Sequence, residues 1–122
     1  VIELRNDDRA YAALAGCLGV AVPDVVRDLA GWSVVAVFMD SEPVGGIAVK
    51  DCEIHCGVLP KASGRWFSKR VFRQTIGQLL EKHGMARTTV RNGNFAGHDF
   101  VSRLGFVPVE SNEKVTRYEI HS

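Results

Sequence analysis

A chain of 122 residues is enough for one domain and not for two. Hydrophobic residues make up 46% and charged residues 24%, the balance of a soluble globular protein, and a net charge of +1 points to no partner through bulk charge. No apolar run reaches the roughly 18 residues of a membrane span, and no signal-peptide pattern is present, so no membrane partner is expected. Cys17, Cys52 and Cys56 are odd in number and share no repeated spacing. That argues against a disulfide framework and for a reducing, cytoplasmic setting. The chain opens on Val1 rather than Met, as expected of a processed or trimmed start.

Residues 1–5 alternate and read as a strand. Asn6 or Asp7 can cap a helix over 8–18, which Gly19 ends. Pro23 opens a short amphipathic piece over 24–30, closed by Gly31. The run SVVAVFM at 33–39 is nearly all apolar and β-branched, as in a strand buried on both faces. Residues 40–43 form a turn and 44–49 the return strand of a hairpin. Lys50 and Asp51 turn into a strand beginning at Glu53. A long helix spans 66–83 with Gly84 at its C-cap. Its buried face is Phe67, Val71, Phe72, Thr75, Ile76, Leu79 and Leu80, at three- and four-residue spacing. A strand at 86–91 leads to Asn94, which N-caps a helix over 95–104 stopped by Gly105. Strands at 106–109 and 115–121 follow, joined by a turn at Ser111 and Asn112. The order βααβββαβαββ implies a mixed sheet with helices on its faces, of α/β or α+β type.

The chemistry concentrates in 53–73, EIHCGVLPKASGRWFSKRVFR. Ile54, Cys56 and Val58 face one side of the strand and Glu53, His55 and Gly57 the other. Pro60 ends the strand because it has no N–H for the ladder. A tight loop at 61–65 and a helix start carrying Arg65, Lys69, Arg70 and Arg73 follow. With Lys61 these are five basic residues and no acidic one. A strand, a loop and a basic helix start make an anion site, because free amides and the positive end of the helix dipole point at the loop. Cys52, His55 and Cys56 do not read as a metal site, since the two thiols and the imidazole point to opposite faces.

These motifs, in this order, resemble the Gcn5-related N-acetyltransferase (GNAT) superfamily over nearly the whole chain. The residues that carry the resemblance are the small pair in Val44-Gly45-Gly46-Ile47, the V-x-P of Val58-Leu59-Pro60, the loop and long helix after it, and Asn94 followed by Leu104-Gly105-Phe106. The stretch Gly64-Arg65-Trp66 is also similar to small GNAT-like proteins encoded by bacteriophages. The resemblance implies one GNAT (acyl-CoA N-acyltransferase) domain over 1–122, with a mixed, mostly antiparallel central sheet and helices on both faces. It implies acetyl-CoA as cofactor, in the splay between the strands ending near Leu59 and Arg91. Val58, Ser63, Gly64, Arg65, Trp66, Phe67, Ser68, Lys69 and Asn94 would hold it, with Lys61 and Arg70 as further phosphate candidates. Glu53 matches the strand Glu that acts as general base in many members. His55, on the same face, either shares that work or is a hydrogen-bonded, half-buried histidine. His98 and Asp99 read as surface residues.

Five positions depart from the family pattern. Ser63 and Ser68 flank a loop in which Trp66 stands where glycine lets a phosphate approach. Gly97 takes the usual Ala place. Val101 takes the place of the Tyr that acts as general acid in many members, and valine has no proton to give. Two functional readings follow. In one, the protein transfers an acetyl group from acetyl-CoA to an amine of a small molecule or protein. In the other, it is a catalytically degenerate GNAT-fold module, structural or binding, with a homo-oligomer or a phage virion as partner. Trp66 beside Arg65 also suits a stacking platform for single-stranded nucleic acid or an interface anchor. Helix spacing puts Phe67 in the core, however, so nucleic acid is not the expected partner.

Overall fold

Strand β2 (Ser33–Met39) is covered on both faces, because Ala36, Val37 and Phe38 are consecutive and all buried. The structure, a computed structural model, describes residues 1–122. Strand order is β1-β2-β3-β4-β5-β7-β6. Strands β4 and β5 run parallel, and the pairs β1–β2, β2–β3, β5–β7 and β6–β7 run antiparallel. The chain packs as two units: one takes Val1–Asp51 and His55–Arg70, the other Cys52–Ile54 and Val71–Ser122. No single helix is long and apolar enough to cross a membrane.

The first unit is built on β1 (Ile2–Arg5), β2, β3 (Glu42–Lys50) and the end of β4 (Glu53–Val58), with α1 (Arg9–Leu18) and α2 (Val22–Asp28). Asp7 serves the start of α1. Its carboxylate accepts the Arg9 amide at 2.9 Å and the Arg9 guanidinium at 2.6 Å, which lowers its pKa from 3.8 to about 2. Gly19 ends α1 in the left-handed region. The glycine pair of β3 works through close approach. A Cβ on Gly45 would stand 2.3 Å from the Gly57 carbonyl oxygen, and one on Gly46 would stand 2.8 Å from the Leu14 side chain. The pair therefore lets β4 on one side and α1 on the other come close to β3. The β2–β3 turn is tighter than the expected 40–43. Asp40 and Ser41 alone form it, both at positive φ, as a two-residue primed turn requires. Pro43 lies within β3 opposite Phe38, where the register shifts, and a bulge tolerates a residue with no N–H.

The long helix begins at Lys69, three residues later than its periodicity predicts, with Ser68 before it. Trp66 and Phe67 belong to the preceding loop. From Lys69 the chain runs through α3 (Lys69–Phe72), a π-helical stretch (Arg73–Gly77) and α4 (Gln78–His83). The Thr75 hydroxyl donates to the Val71 carbonyl at 2.7 Å and so competes for an acceptor of the helix ladder. Val71, Thr75, Ile76 and Leu79 are buried, while Phe72 and Leu80 are half-buried.

In the second unit, β5 (Met85–Arg91), β7 (Val115–His121) and β6 (Val107–Ser111) pair in that order, and α5 (Phe95–Arg103) packs on β5. Phe106, expected to open β6, is buried just before it. Ala86, Thr88 and Val90 are buried, and Val90 meets α5 at Gly97. Alternation puts Arg87, Thr89 and Arg91 on the face away from α5.

Candidate active site

Glu53 opens β4, and its register partner on β5 is Arg87. Directly paired residues point to the same face, so Glu53 and Arg87 share one face of the sheet. Across β5, Arg87 is paired with Glu119 of β7. Arg87 donates to Cys52 Sγ at 3.2 Å. That bond, together with the charges of Cys52, Glu53 and Glu119, holds the guanidinium's pKa above its ordinary value. Its Nε is buried and has no acceptor. Sequence reading missed Arg87, because only the strand register brings it to Glu53.

His55 is half-buried and packs on the Trp32 ring, with centroids 5.5 Å apart. Cys56 is accessible to solvent, yet burial pushes its thiol up to about 12, with Cys17 adding to the effect. Burial also raises the Cys17 thiol. Val58 is half-buried and lies against the Gly45 backbone.

The loop after β4 is a 3-10 turn (Pro60–Ala62) followed by Ser63 and Gly64, the latter at φ 77°. The amides of Ala62, Ser63 and Arg65 are spent on carbonyls within the loop. The Arg65 amide is therefore not open to a phosphate, contrary to the simplest reading of the motif. Two of the basic side chains are engaged as well. Lys61 pairs with Glu42 at 2.7 Å, and Arg70 donates to the Ile2 carbonyl. Arg65 and Lys69 make no ion pair. Trp66 is 4% exposed and packs edge-to-face on Phe67, with centroids 4.9 Å apart. Burial rules out Trp66 as a stacking platform or exposed interface anchor. The indole is the small core of this loop, which is also why the helix starts late.

Asn94 caps α5 as the sequence predicts, its side-chain oxygen accepting the Gly97 amide at 3.0 Å. His98 is not a free surface residue. Its Nε2 lies 3.0 Å from the Arg91 carbonyl and its Nδ1 2.7 Å from the Tyr118 hydroxyl. A carbonyl only accepts, so Nε2 carries a hydrogen and donates to it, while Nδ1 and the Tyr118 hydroxyl share the second bond. The imidazole thus ties α5 to the end of β5 and to buried Tyr118 of β7.

No protein-family model matches the chain, and no curated protein matches it by sequence. Solved structures do match. An acetyltransferase from Thermus thermophilus superposes with a TM-score of 0.75 at 18% identity, over 100% of this chain and 97% of that one. The PaiA N-acetyltransferase of Thermoplasma acidophilum, solved with coenzyme A, gives 0.71 at 14% identity over 100% and 99%. PH1933 of Pyrococcus horikoshii OT3 gives 0.77 at 13% over 100% and 99%. The chain has the GNAT fold. At these identities the likeness concerns the fold alone.

Within the GNAT fold, the departures have local causes. A Cβ at Gly97 would stand 2.5 Å from the Asn94 side-chain nitrogen and 3.0 Å from Val90, so glycine makes room for the cap. Val101 is buried at 8% exposure and offers no proton.

Proposed function

We propose that the protein is an acetyl-CoA-dependent N-acetyltransferase. The observation that carries this reading is the GNAT fold, matched over the full chain by acetyltransferases that include an N-acetyltransferase solved with coenzyme A. The residues of the loop fit the anionic end of such a coenzyme. Arg65 and Lys69 are cations without a carboxylate partner, Ser63 and Ser68 carry hydroxyls, and no acid lies between Lys61 and Arg73. Val58, Gly64 and Phe67 complete the set assigned to it, and Trp66 stiffens the loop from inside. When bound, acetyl-CoA supplies an acetyl group activated as a thioester.

Glu53 has the protein's central chemical role. An ammonium acceptor must lose a proton before its nitrogen can attack, and Glu53 takes that proton directly or through a water. Arg87, the register partner of Glu53 on the neighbouring strand, adds a positive charge to its environment. His55, packed on Trp32, lines the same face of β4 as Glu53. Val101 holds no proton at the place where other members carry Tyr.

The test is release of coenzyme A thiol from acetyl-CoA in the presence of a panel of primary amines. Turnover is expected with the wild-type protein, and Glu53→Gln should lose about 10²- to 10⁴-fold in kcat, the usual contribution of a general base. Absence of any amine-dependent release, with acetyl-CoA bound or not, would favour the catalytically degenerate binding module.

A further inference from the structure

The turns at 91–94 and 112–115 enclose an open recess of about 680 Å³ lined by Arg91, Gly93, Asn94, Lys114 and Val115. Asparagines fix its walls. Asn92 donates to the Asn112 carbonyl at 2.7 Å and accepts from the Thr116 hydroxyl at 2.8 Å. The Asn112 side chain accepts the amides of Lys114 and Val115 at 2.7 and 2.9 Å. The Arg91 carbonyl is taken by the Asn94 amide and His98, and the Lys114 carbonyl by the Asn92 amide. These polar groups of the turns are thus met from within. What remains unmet is the charge of two side chains. Arg91 and Lys114 make no ion pair, and no carboxylate lines the recess; Glu113, next in the chain, does not face it. Val115 is the register partner of Arg91 and supplies an apolar floor on the same face.

Two unpaired cations over a rigid, partly apolar recess match an anionic group of oxygen acceptors, which an arginine holds in a fork and a lysine as a point charge. The location suggests whose group it is. Glu53 pairs with Arg87, and Arg91 lies four residues further along β5 on the same face, about 13 Å at the strand rise. The long side chains of Glu53 and Arg91 shorten that gap to the length of a short aliphatic linker. We propose that Arg91 and Lys114 bind the carboxylate or phosphate of the acceptor, so that the acceptor is an amine bearing an anionic group at its far end. This assignment of substrate class rests on the acetyl-transfer reading; the anion recess itself does not.

The experiment has two arms. In the first, ¹⁵N-labelled protein without coenzyme is titrated with 6-aminohexanoate, 6-aminohexyl phosphate and neutral 6-aminohexanamide, following the backbone amides of 91–94 and 112–115. The two anions should shift these amides and the neutral amide should not, and whichever anion binds at lower concentration identifies the group. Arg91→Gln with Lys114→Gln should abolish the response, and Lys114→Arg should keep it. Unshifted amides, or equal shifts from 6-aminohexanamide, would overturn the recess whatever the enzyme does. In the second arm, kcat/KM for acetylation should favour the better anion over 6-aminohexanamide by at least about tenfold, the weight of one charged hydrogen bond. The double variant should bring that ratio to about one. A positive first arm with no turnover on any amine refutes acetyl transfer and leaves an anion-binding module. Turnover without preference refutes the acceptor assignment.

Discussion

Two basic regions of this molecule differ in how much of their charge the fold spends. The loop and helix start from Lys61 to Arg73 carries the densest run of cations in the sequence. Yet Lys61 is neutralised by Glu42, Arg70 is spent on a backbone carbonyl, and the loop's middle is filled by buried Trp66, which leaves Arg65 and Lys69 without an ion pair. At the turns around Arg91 and Lys114 there are only two cations, far apart in the chain, and neither is spent. Charge counted along a sequence measures what is present, whereas binding depends on what the fold leaves unpaired.

The largest expected effect that can break this comparison is at Trp66. If the indole is the core of its loop, Trp66→Ala should cost about 3–5 kcal/mol, as removal of a buried aromatic does. Chemical denaturation measures it, and a loss within experimental error would show an indole free to serve a ligand. In the other region, replacing the walls should matter more than replacing the charges. Asn112→Ala removes acceptors for two turn amides and should cost about 0.5–2 kcal/mol, by analogy with lost helix caps. The double variant Arg91→Gln, Lys114→Gln should stay within about 0.5 kcal/mol of wild type, because nothing in the fold depends on those charges. A larger loss would mean that they are already spent.

A small effect is also expected of Lys61→Gln. It breaks a half-exposed surface pair and should change stability by no more than about 0.2–1 kcal/mol. Acid titration gives a separate check on α1. The Asp7 pKa is depressed to about 2, so its contribution is fully present above its unfolded pKa near 3.8 and is lost as pH falls through about 2. Asp7→Asn should flatten the stability profile between those values. A profile in the variant that is as steep as in the wild type would contradict the Asp7–Arg9 contact.

Much of the fold is legible in the sequence where the signal is local. The apolar run of β2, Gly19 after α1 and Asn94 before α5 each mark an element by their own chemistry. The start of the long helix is not legible, because Trp66 and Phe67 continue the apolar spacing of Val71. Periodicity does not distinguish a helix face from aromatics packed inside a loop. Pro43 suggests a longer turn than the one formed, since the bulge that accommodates it depends on Phe38 across the hairpin. Glu53 is singled out by the resemblance of its strand to the family pattern. Its neighbour Arg87, the His98–Tyr118 link and the Arg91–Lys114 recess depend on register between segments distant in sequence, so no local pattern marks them.

The central claim is that this GNAT fold holds acetyl-CoA at the loop from Ser63 to Lys69, and calorimetric titration of the coenzyme tests it most directly. The account predicts binding at micromolar levels, weakened by Lys69→Glu and accompanied by thermal stabilisation of about 2.7 kcal/mol at a hundredfold excess over Kd. No heat and no thermal shift at millimolar acetyl-CoA would contradict it.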